Sequence, residues 1–312
     1  MANISPFSLP GQFYRGNIHT HSTLSDGALE PEDVINAYKD AGYDFLMLSE
    51  HFLKQFGSPV ADTRRWRDDN FTTLIGVELH AKETRVGELW HIVAAGLPLD
   101  FAPCGENETG VELARRAAKE GAFIGIAHPA WSQLTIEDGH SIDVAHAVEI
   151  YNHGCRVETD RGDGFYLLDL MLNDGKRLSG YASDDAHFKI HDRDAFGGWV
   201  QVKSESLDPD ALLDALKAGN YYSSQGPQIH ALSIENNQVH IECSPVDVIN
   251  VAGGTSRTAR AHGRSITKAT IELSDLHTGI FVPDPSPWLR VTLIDSAGKC
   301  AWTNPIWLDE LD

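Results

Sequence analysis

The chain has 312 residues, of which 42% are hydrophobic and 22% are charged. This is enough apolar material for one large domain, or a large and a small one, and it excludes a wholly disordered protein. The 45 acidic and 25 basic side chains give a net charge of −20, which argues against a protein that binds along a nucleic-acid backbone. Histidine is abundant, with 15 residues, and it is the commonest metal ligand and acid–base group in proteins.

Four cysteines, Cys104, Cys155, Cys243 and Cys300, lie far apart in the chain. Their spacing indicates neither a zinc ribbon nor a dense disulfide framework. The N-terminal residues lack the basic segment followed by an apolar segment that marks a secretion signal. No apolar run approaches the ~20 residues that a membrane span needs. We therefore expect a soluble, cytoplasmic protein that has no membrane partner.

Residues 1–226 alternate between helix-like and strand-like segments. Pro31 and Gly42 flank the first predicted helix in the usual order, with proline at the start and glycine after the end. The predicted helices are Pro31–Ala41, Glu108–Glu120, Gly164–Asn173 and Asp208–Ala218. The apolar runs between them predict buried parallel strands at Phe45–Leu48, Thr73–Val77, His91–Ala95, Phe123–Ala127, Ala147–Tyr151 and Leu178–Ala182. This alternation predicts an α/β fold, either an open sheet or a barrel.

The pattern changes after Gly226-Pro227, where amphipathic helices stop. Short runs with partial alternation follow at Ile229–Ile234, Gln238–Cys243, Val248–Val251, Ala269–Leu273 and Trp288–Ile294, and turn residues separate them. Such runs are typical of antiparallel sheets. We predict an α/β domain over residues 1–226 and a small, sandwich-like β domain over residues 227–312.

Polar side chains with metal-binding chemistry lie at the ends of these predicted strands. His19 and His21 follow the strand-like stretch Tyr14–Ile18, and residues i and i+2 of a strand face the same side, so the pair could hold one ion. A His-x-His pair also occurs by chance on surface loops. The further candidate ligands, most of which lie just beyond the carboxyl end of a predicted strand, are Asp26, His51, Glu78, His91, His128, Asp185 and His187. Since α/β folds build their sites at the carboxyl ends of strands, we expect these side chains in one site.

In this order, the motifs resemble those of the PHP (polymerase and histidinol phosphatase) family of metal-dependent hydrolases. The resemblance covers roughly residues 12–226 and rests on His19-Thr20-His21, Ser25-Asp26-Gly27, Ser49-Glu50-His51, Gly76-Val77-Glu78, His91-Ile92-Val93, Ala127-His128-Pro129, Val148–Asn152 and Ser183–His187. The C-terminal segment, through Tyr222–Pro227 and Ala301–Ile306, is similar to the β domain of a subgroup that includes carbaryl-type carbamate-ester hydrolases.

The resemblance implies a distorted seven-stranded (β/α)7 barrel with two or three divalent metal ions. It assigns a first ion to His19, His21, Glu78 and Asp185, a second to Glu78, His91 and His128, and a third to Asp26, His51 and His187. Many relatives have histidine where this chain has Asp26, which leaves the third ion in question. The family pattern, with Asp two residues before His, selects Asp185 over Asp184. Imidazole and carboxylate ligands suit Zn²⁺, Mn²⁺ or Fe²⁺.

Three of these ligands, Asp26, Glu78 and His187, are also the predicted catalytic residues. Arg193 and Asn152 are the predicted substrate-binding residues, because each follows a strand end of the expected site and arginine binds phosphate well. Lys189 and Arg156 are further candidates for a phosphate ligand, Glu50 for orienting a metal ligand, and Trp131 for a pocket wall. His80 and His153 remain possible extra ligands. Each of these residues also has an ordinary structural interpretation.

Three functions remain open from the sequence. The resemblance implies a phosphoesterase that hydrolyses a small phosphomonoester or nucleotide through a metal-bound hydroxide. The alternative is a carboxyl- or carbamate-ester hydrolase that uses the same nucleophile. The third is a metal- or sugar-binding module without hydrolysis. The expected partner is a small anionic substrate rather than a nucleic-acid polymer, and the sequence does not indicate the oligomeric state.

Overall fold

The computed structural model describes residues 4–277 and 284–311, and this part of the chain contains 17 strands and 7 helices. The strands are β1 Gln12–Asn17, β2 Phe45–Leu48, β3 His51–Phe52, β4 Thr72–Ala81, β5 Trp90–Ala95, β6 Phe123–Ile126, β7 Ala147–Asn152, β8 Ser179–Ser183, β9 Lys189–Asp192, β10 Trp199–Ser204, β11 Tyr221–Ser224, β12 Ile229–Glu235, β13 Gln238–Gly253, β14 Thr258–Glu272, β15 Trp288–Ile294, β16 Cys300–Thr303 and β17 Ile306–Trp307. The helices are α1 Pro31–Asp40, α2 Gly110–Lys119, α3 Ile136–Ser141, α4 His153–Thr159, α5 Phe165–Asn173, α6 Pro209–Lys217 and α7 Ser274–His277.

All four predicted helices are present, because their amphipathic faces and caps agree with the fold. Helix α1 starts at Pro31 and buries Val34, Ile35 and Tyr38, and α2 starts with a capping box at Thr109. The sequence analysis did not find α3 and α4, which are one or two turns long and carry no full period of apolar residues. The mixed α/β class is therefore confirmed.

Sixteen strands form one sheet in which the path runs β12-β13-β15-β16-β11-β10-β1-β2-β4-β5-β6-β7-β8, while β14, β17 and β3 pair with β13, β15 and β4. Strand β8, at the end of this path, contacts β11 through side-chain hydrogen bonds instead of backbone pairing. Ser223 Oγ accepts the N–H of Ala182 at 2.9 Å and donates to the carbonyl of Gly180 at 3.1 Å. Asn304 Oδ1 accepts the N–H of Gly180 at 2.9 Å. This closure gives the α/β part a barrel-like form, whereas a count of seven strand–helix units stays a prediction.

The prediction that the six apolar runs form parallel strands was wrong for β5. Strand β10, which was not among those runs, is antiparallel to its neighbours β1 and β11. Pairs β1–β2, β2–β4, β6–β7 and β7–β8 are parallel, but β5 is antiparallel to both β4 and β6. Residues 82–89 connect β4 to β5 without a helix, and so short a segment cannot make the crossover that parallel neighbours require. As a result, His91 at the start of β5 lies opposite His80 near the end of β4.

The C-terminal segment is antiparallel, as the sequence predicts. The segments predicted as separate strands at Gln238–Cys243 and Val248–Val251 form one strand, β13, with an irregular register between Glu242 and Val248. Such a bulge bends a strand without ending it. Because β16 pairs with β11, the sheet continues from one part of the chain into the other, and the boundary at residue 226 stays a prediction.

Two features of the described residues bear on the predicted surroundings of the protein. No helix among them is both long and apolar enough to cross a membrane. All four cysteines are free thiols, with Cys155 and Cys243 buried. The cytoplasmic location stays a prediction.

Candidate metal centre

The nine predicted metal ligands lie together at one end of the barrel-like part of the sheet. They come from the segments after β1, β2, β6 and β8 and from β4 and β5. In four overlapping groups, each residue offers one ligand-type atom within 4.8 Å of the others: His21, Asp26, His51 and His187; His51, Glu78, His80 and His91; His19, His21 and Asp185; and His19, Glu78 and His128. The structure thus brings together every predicted ligand and adds His80.

The cluster forms the base of a cavity of about 290 Å³. Its lining residues are Asp26, His51, His91, His128, Trp131, Gly154, Cys155, Glu158, Asp185, His187 and Lys189. His19, His21 and Glu78 are completely buried beneath it. A larger cavity, of about 460 Å³ and bounded by Phe52 and Leu89, contains none of the nine predicted ligands.

Asp185 stands against the two histidines that follow β1. Its Oδ1 lies 3.3 Å from His19 Nε2 and 3.0 Å from His21 Nε2. The backbone of Asp185 is left-handed (φ 53°), a conformation that aspartate tolerates better than most residues, and its N–H donates to the carbonyl of His19 at 2.8 Å. The chain segment that follows β8 is thereby attached directly to the segment that follows β1.

The neighbouring carboxylate, Asp184, has a different role. It accepts hydrogen bonds from the Tyr38 hydroxyl at 2.8 Å and from three successive backbone N–H groups of residues 196–198 at 2.8–2.9 Å. Burial raises the pKa of Asp184 to about 6, against the opposing effect of these hydrogen bonds. Asp184 therefore holds a loop in place, and the geometry supports the choice of Asp185 as the ligand.

Glu78 lies at the centre of the cluster, and its two oxygens face different histidines. Oε1 lies 2.7 Å from His91 Nδ1 and 3.1 Å from His128 Nε2. Oε2 lies 2.6 Å from His51 Nδ1 and 3.4 Å from His80 Nε2. Burial acts to raise the pKa of Glu78, but the surrounding imidazoles, His91 first, hold it well below its usual range. Glu78 is therefore an anionic carboxylate placed to bridge two positions.

Asp26 is the acidic member of the outermost group. Its Oδ1 lies 3.2 Å from His51 Nε2 and 3.2 Å from His187 Nε2, and its Oδ2 accepts a hydrogen bond from Lys189 Nζ at 2.7 Å. The ring of His21 lies against both of these rings, with centroid distances of 4.2 Å to His51 and 4.3 Å to His187. The carboxylate at position 26 therefore faces the same point as the two histidines, as a fourth member of this group.

Hydrogen bonds outside the cluster orient several of the imidazoles. His19 Nδ1 lies 2.9 Å from Glu149 Oε1, His187 Nδ1 lies 3.0 Å from the carbonyl of Asp185, and His128 Nδ1 lies 3.1 Å from Ser132 Oγ. A carboxylate and a carbonyl can only accept, so the proton of neutral His19 and His187 is on Nδ1. Their Nε2 lone pairs then face the cluster, as is usual for metal-ligating histidines.

The inward atoms of the cluster fit a bound cation. Five of them are buried without a hydrogen-bond partner in the described part of the chain: His19 Nε2, His21 Nε2, Asp26 Oδ1, Glu78 Oε2 and Asp185 Oδ1. Unpaired buried polar atoms are costly, and imidazole lone pairs next to carboxylate oxygens repel each other unless a positive charge lies between them. A nitrogen and oxygen ligand set of this kind suits Zn²⁺, Mn²⁺ or Fe²⁺.

Neither of the two residues predicted to bind substrate lines the cavity, and their role stays a prediction. Asn152 is completely buried, with Nδ2 3.0 Å from both Glu149 Oε2 and Asp185 Oδ2 and with Oδ1 accepting the N–H of Cys155 at 2.8 Å, so its polar atoms are already used. Arg193 is exposed on the turn after β9 and does not line the cavity. Lys189 is the basic residue that lines it.

Two residues near the ligands lie outside the predicted ligand sets: Glu149, which has no predicted role, and His80, which was only a possible extra ligand. Glu149 is buried and accepts hydrogen bonds from His19 Nδ1, from the N–H of His128 at 2.6 Å and from Ser183 Oγ. A lone acid within the apolar run of β7 could have indicated this role. His80 follows Glu78 by two residues on β4, and residues at this spacing face the same side of a strand.

Three further residues shape the loops and walls of the cavity. Glu50, predicted to orient a ligand, accepts hydrogen bonds from the N–H of Ser22 at 3.1 Å and from Ser25 Oγ at 2.5 Å, and so holds the loop that carries Asp26. Trp131 lies edge-on to His128, with a centroid distance of 5.1 Å, and forms one wall. Burial raises the pKa of the Cys155 thiol well above its usual range, so this wall residue is a neutral thiol.

Comparison with known proteins gives similarity in structure rather than in sequence. No family model matches the chain, and no curated protein matches it. Among solved structures, it aligns with a two-domain protein containing a predicted PHP-like metal-dependent phosphoesterase from Bacteroides vulgatus ATCC 8482. That alignment has 14% identity and a TM-score of 0.54, and it covers 98% of this chain and 99% of the other.

Two shorter alignments cover 55% of this chain and 87% of the other. One is with a candidate metal-dependent phosphoesterase from Bifidobacterium adolescentis ATCC 15703, with 12% identity and a TM-score of 0.41. The other is with an amidohydrolase from Chromobacterium violaceum that has bound sulfate and no metal, with 14% identity and a TM-score of 0.39. The first alignment shows that this chain has the fold of a two-domain protein described as PHP-like. The predicted resemblance is confirmed at that level.

Proposed function

We propose that the protein is a metal-dependent phosphoesterase that hydrolyses a small phosphomonoester or nucleotide. The observation that carries the proposal is the convergence of six histidines and three carboxylates on one cavity, with inward atoms that lack partners in the described structure. The full-length fold similarity to a protein described as containing a predicted PHP-like metal-dependent phosphoesterase supports the same reaction class.

The proposed centre holds two or three divalent ions, which are Zn²⁺, Mn²⁺ or Fe²⁺. His19, His21, Glu78 and Asp185 would hold the first, Glu78, His91 and His128 the second, and Asp26, His51 and His187 the third. Bound ions of this kind lower the pKa of water toward neutrality and neutralise a phosphoryl group. The chain itself contributes the fixed ligand positions, with Asp26, Glu78 and His187 as the proposed catalytic residues and Glu78 as the bridge.

Other residues of the cavity set the size and charge of the substrate. A volume of about 290 Å³ is close to the lower end of ligand pockets, ~300 Å³, which favours a small molecule. Lys189 is the residue placed to bind a phosphate oxygen, because its side chain is 48% exposed at the cavity and bonds to Asp26. Glu158 and Asp185 make the remaining lining acidic, so a phosphate would enter only with cations bound.

In this proposal, residues 1–226 form the hydrolase unit, a distorted version of the (β/α)7 barrel. Residues 227–312 form the antiparallel β domain that extends the sheet of the barrel. The carbaryl-type subgroup remains part of the proposal through the C-terminal motifs. The sheet continuity between β11 and β16 supports a fixed arrangement of the two parts.

A carboxyl- or carbamate-ester hydrolase is the second candidate function. Two cavity residues favour it. Glu158 would repel an anionic substrate, and the flat ring of Trp131 could pack against an aryl ester. The same metal ligands would serve either reaction, so the substrate decides between the two.

The deciding experiment compares p-nitrophenyl phosphate and a nucleotide panel with p-nitrophenyl acetate and an aryl carbamate. The purified protein is assayed with Mn²⁺, Zn²⁺ or Fe²⁺, and a chelator-treated sample serves as the blank. We expect phosphatase turnover that the chelator abolishes and that His19→Ala removes. His230→Ala, which changes an exposed histidine of β12, is the matched control and should retain activity. Excess activity on acyl esters would favour the second function, and metal-independent turnover would refute both.

A further inference from the structure

His80 is a buried histidine beside the metal centre with no role in the ligand assignment above. It lies near the end of β4, its side chain is 1% exposed, and it does not line the 290 Å³ cavity. Instead it borders the separate cavity of about 460 Å³ behind the cluster. A buried imidazole in such a position needs a partner for each ring nitrogen.

Both nitrogens of His80 have partners. Nδ1 lies 3.1 Å from the backbone carbonyl of Trp90, and Nε2 lies 2.9 Å from His51 Nδ1. The carbonyl can only accept, so Nδ1 of neutral His80 carries the proton and Nε2 has a lone pair. The only hydrogen that can lie between the two rings is therefore on His51 Nδ1.

This arrangement fixes the tautomer of His51. With the proton on Nδ1, the lone pair of Nε2 faces Asp26 Oδ1 at 3.2 Å, in the outermost ligand group. Glu78 Oε2 also lies 2.6 Å from His51 Nδ1, without hydrogen-bond geometry, and its negative charge favours the same tautomer. The carboxylate of Glu78 also faces several other imidazoles, whereas the hydrogen bond of His80 Nε2 is with His51 Nδ1, at 2.9 Å against 3.4 Å from Glu78 Oε2.

We propose that His80 is a positioning residue for the third ion: it accepts the Nδ1 hydrogen of His51 and so presents His51 Nε2 as a ligand. Histidine ligands usually donate their second N–H to a carboxylate, carbonyl or water. Here a second imidazole, itself held by the carbonyl of Trp90, takes that place. The inference rests on the proposed function, because it assumes that Asp26, His51 and His187 hold an ion.

The test measures metal binding rather than activity. Mn²⁺ affinity and stoichiometry are determined by competition with a chelator and by elemental analysis for the wild type, His80→Leu and His80→Gln. Leucine removes the acceptor, whereas the amide oxygen of glutamine restores one. We expect His80→Leu to weaken the weakest-bound ion by about 10- to 100-fold, with the other ions unchanged, and His80→Gln to recover most of the loss.

A second background shows whether the effect passes through His51. His51→Ala should remove the third ion, and adding His80→Leu to it should cause no further loss, because coupled residues are not additive. A further loss of metal affinity in the double variant would overturn the proposal. Equal metal affinities of the wild type, His80→Leu and His80→Gln would also overturn it. His230→Leu, an exposed histidine, is the control for unspecific loss of metal.

The comparison remains decisive if leucine prevents folding. His80→Asn keeps a polar side chain that is too short to reach His51, so the pair His80→Gln and His80→Asn then carries the test. Equal metal affinity in these two folded variants would refute the proposal. Failure of the wild type to bind metal would refute the proposed function itself, whereas normal binding in every His80 variant would refute only this inference.

Discussion

At the scale of single residues, the centre depends on groups that face away from the cavity. Glu149 is the clearest example, because one buried carboxylate contacts the ring of His19, the backbone of His128 and the amide of Asn152. Asn152 in turn contacts Asp185. Such partners orient metal ligands, and their loss typically lowers metal affinity by ~10- to 100-fold.

Glu149→Gln should therefore weaken metal binding while leaving the fold in place. Glutamine keeps the shape of the side chain, but its amide has one acceptor oxygen where the carboxylate has two. We expect a loss of about 10- to 100-fold in affinity for the ion proposed at His19, measured by chelator competition. Glu137→Gln, at an exposed position of α3, is the control. Unchanged affinity would show that Glu149 is only a structural acid.

Lys189→Met should distinguish substrate binding from metal binding. The ammonium group is half exposed, so its contact with a phosphate is expected to contribute about 1 kcal/mol, or roughly fivefold in binding. We expect a KM for p-nitrophenyl phosphate about 3- to 10-fold higher, with little change for p-nitrophenyl acetate. Arg193→Met, at the exposed turn after β9, should leave both KM values unchanged. A larger rise in the KM for p-nitrophenyl phosphate in Arg193→Met than in Lys189→Met would support Arg193 as the substrate-binding residue.

At the scale of elements, the hairpin of β4 and β5 builds half of the centre. It places Glu78, His80 and His91 on neighbouring strands, with His80 opposite His91 in the register. Strand β5 is antiparallel, so its start lies at the same edge as the carboxyl ends of its neighbours. For this reason His91, at the start of β5, lies beside candidate ligands at the carboxyl ends of the neighbouring strands.

Gly76 allows these two strands to pack closely. A Cβ added there would lie 2.4 Å from the backbone carbonyl of Ala94 and 2.3 Å from Met47 Sδ. Gly76→Ala should therefore lower the free energy of unfolding by about 1–3 kcal/mol, the usual cost of overpacking, as measured by urea denaturation. Gly226→Ala, whose Cβ would meet ordinary van der Waals contact, is the matched control. Equal stability of the two variants would contradict the packing argument.

The same elements show how far the sequence could predict the structure. Helices α1, α2, α5 and α6 begin and end within two residues of the predicted bounds, because their apolar period and their end residues agree. The order of the motifs along the chain indicated nine candidate ligands, and the structure brings these side chains together. The direction of β5 could not be predicted, because an apolar run has the same pattern in a parallel and in an antiparallel strand. Arg193 and Asn152 stay predictions as substrate residues; the sequence could not show that the polar atoms of Asn152 are already paired or that Arg193 lies outside the cavity lining.

At the scale of the whole molecule, the α/β part and the C-terminal β segment share one sheet and one core. Strand β16 pairs with β11, and Trp288 and Trp302 are buried in the same apolar cluster as Leu168 and Met171 of α5. Arg290 forms a two-pronged salt bridge with Asp169, at 2.8 and 3.0 Å. The geometry of the cavity thus depends on residues beyond the segment that carries the candidate ligands.

We therefore expect the full chain to unfold as one unit, and residues 1–226 alone not to form the native centre. Removing residues 227–312 would leave β11 without its partner β16 and would expose the part of the core that Trp288 covers. Unfolding of the full chain followed by tryptophan fluorescence and by circular dichroism should give coincident transitions. The truncated chain should aggregate or unfold without a cooperative transition, and it should lose tight metal binding. A folded, metal-binding 1–226 fragment would instead show that the two predicted domains are independent, with the sheet pairing at β11 adding little to their stability.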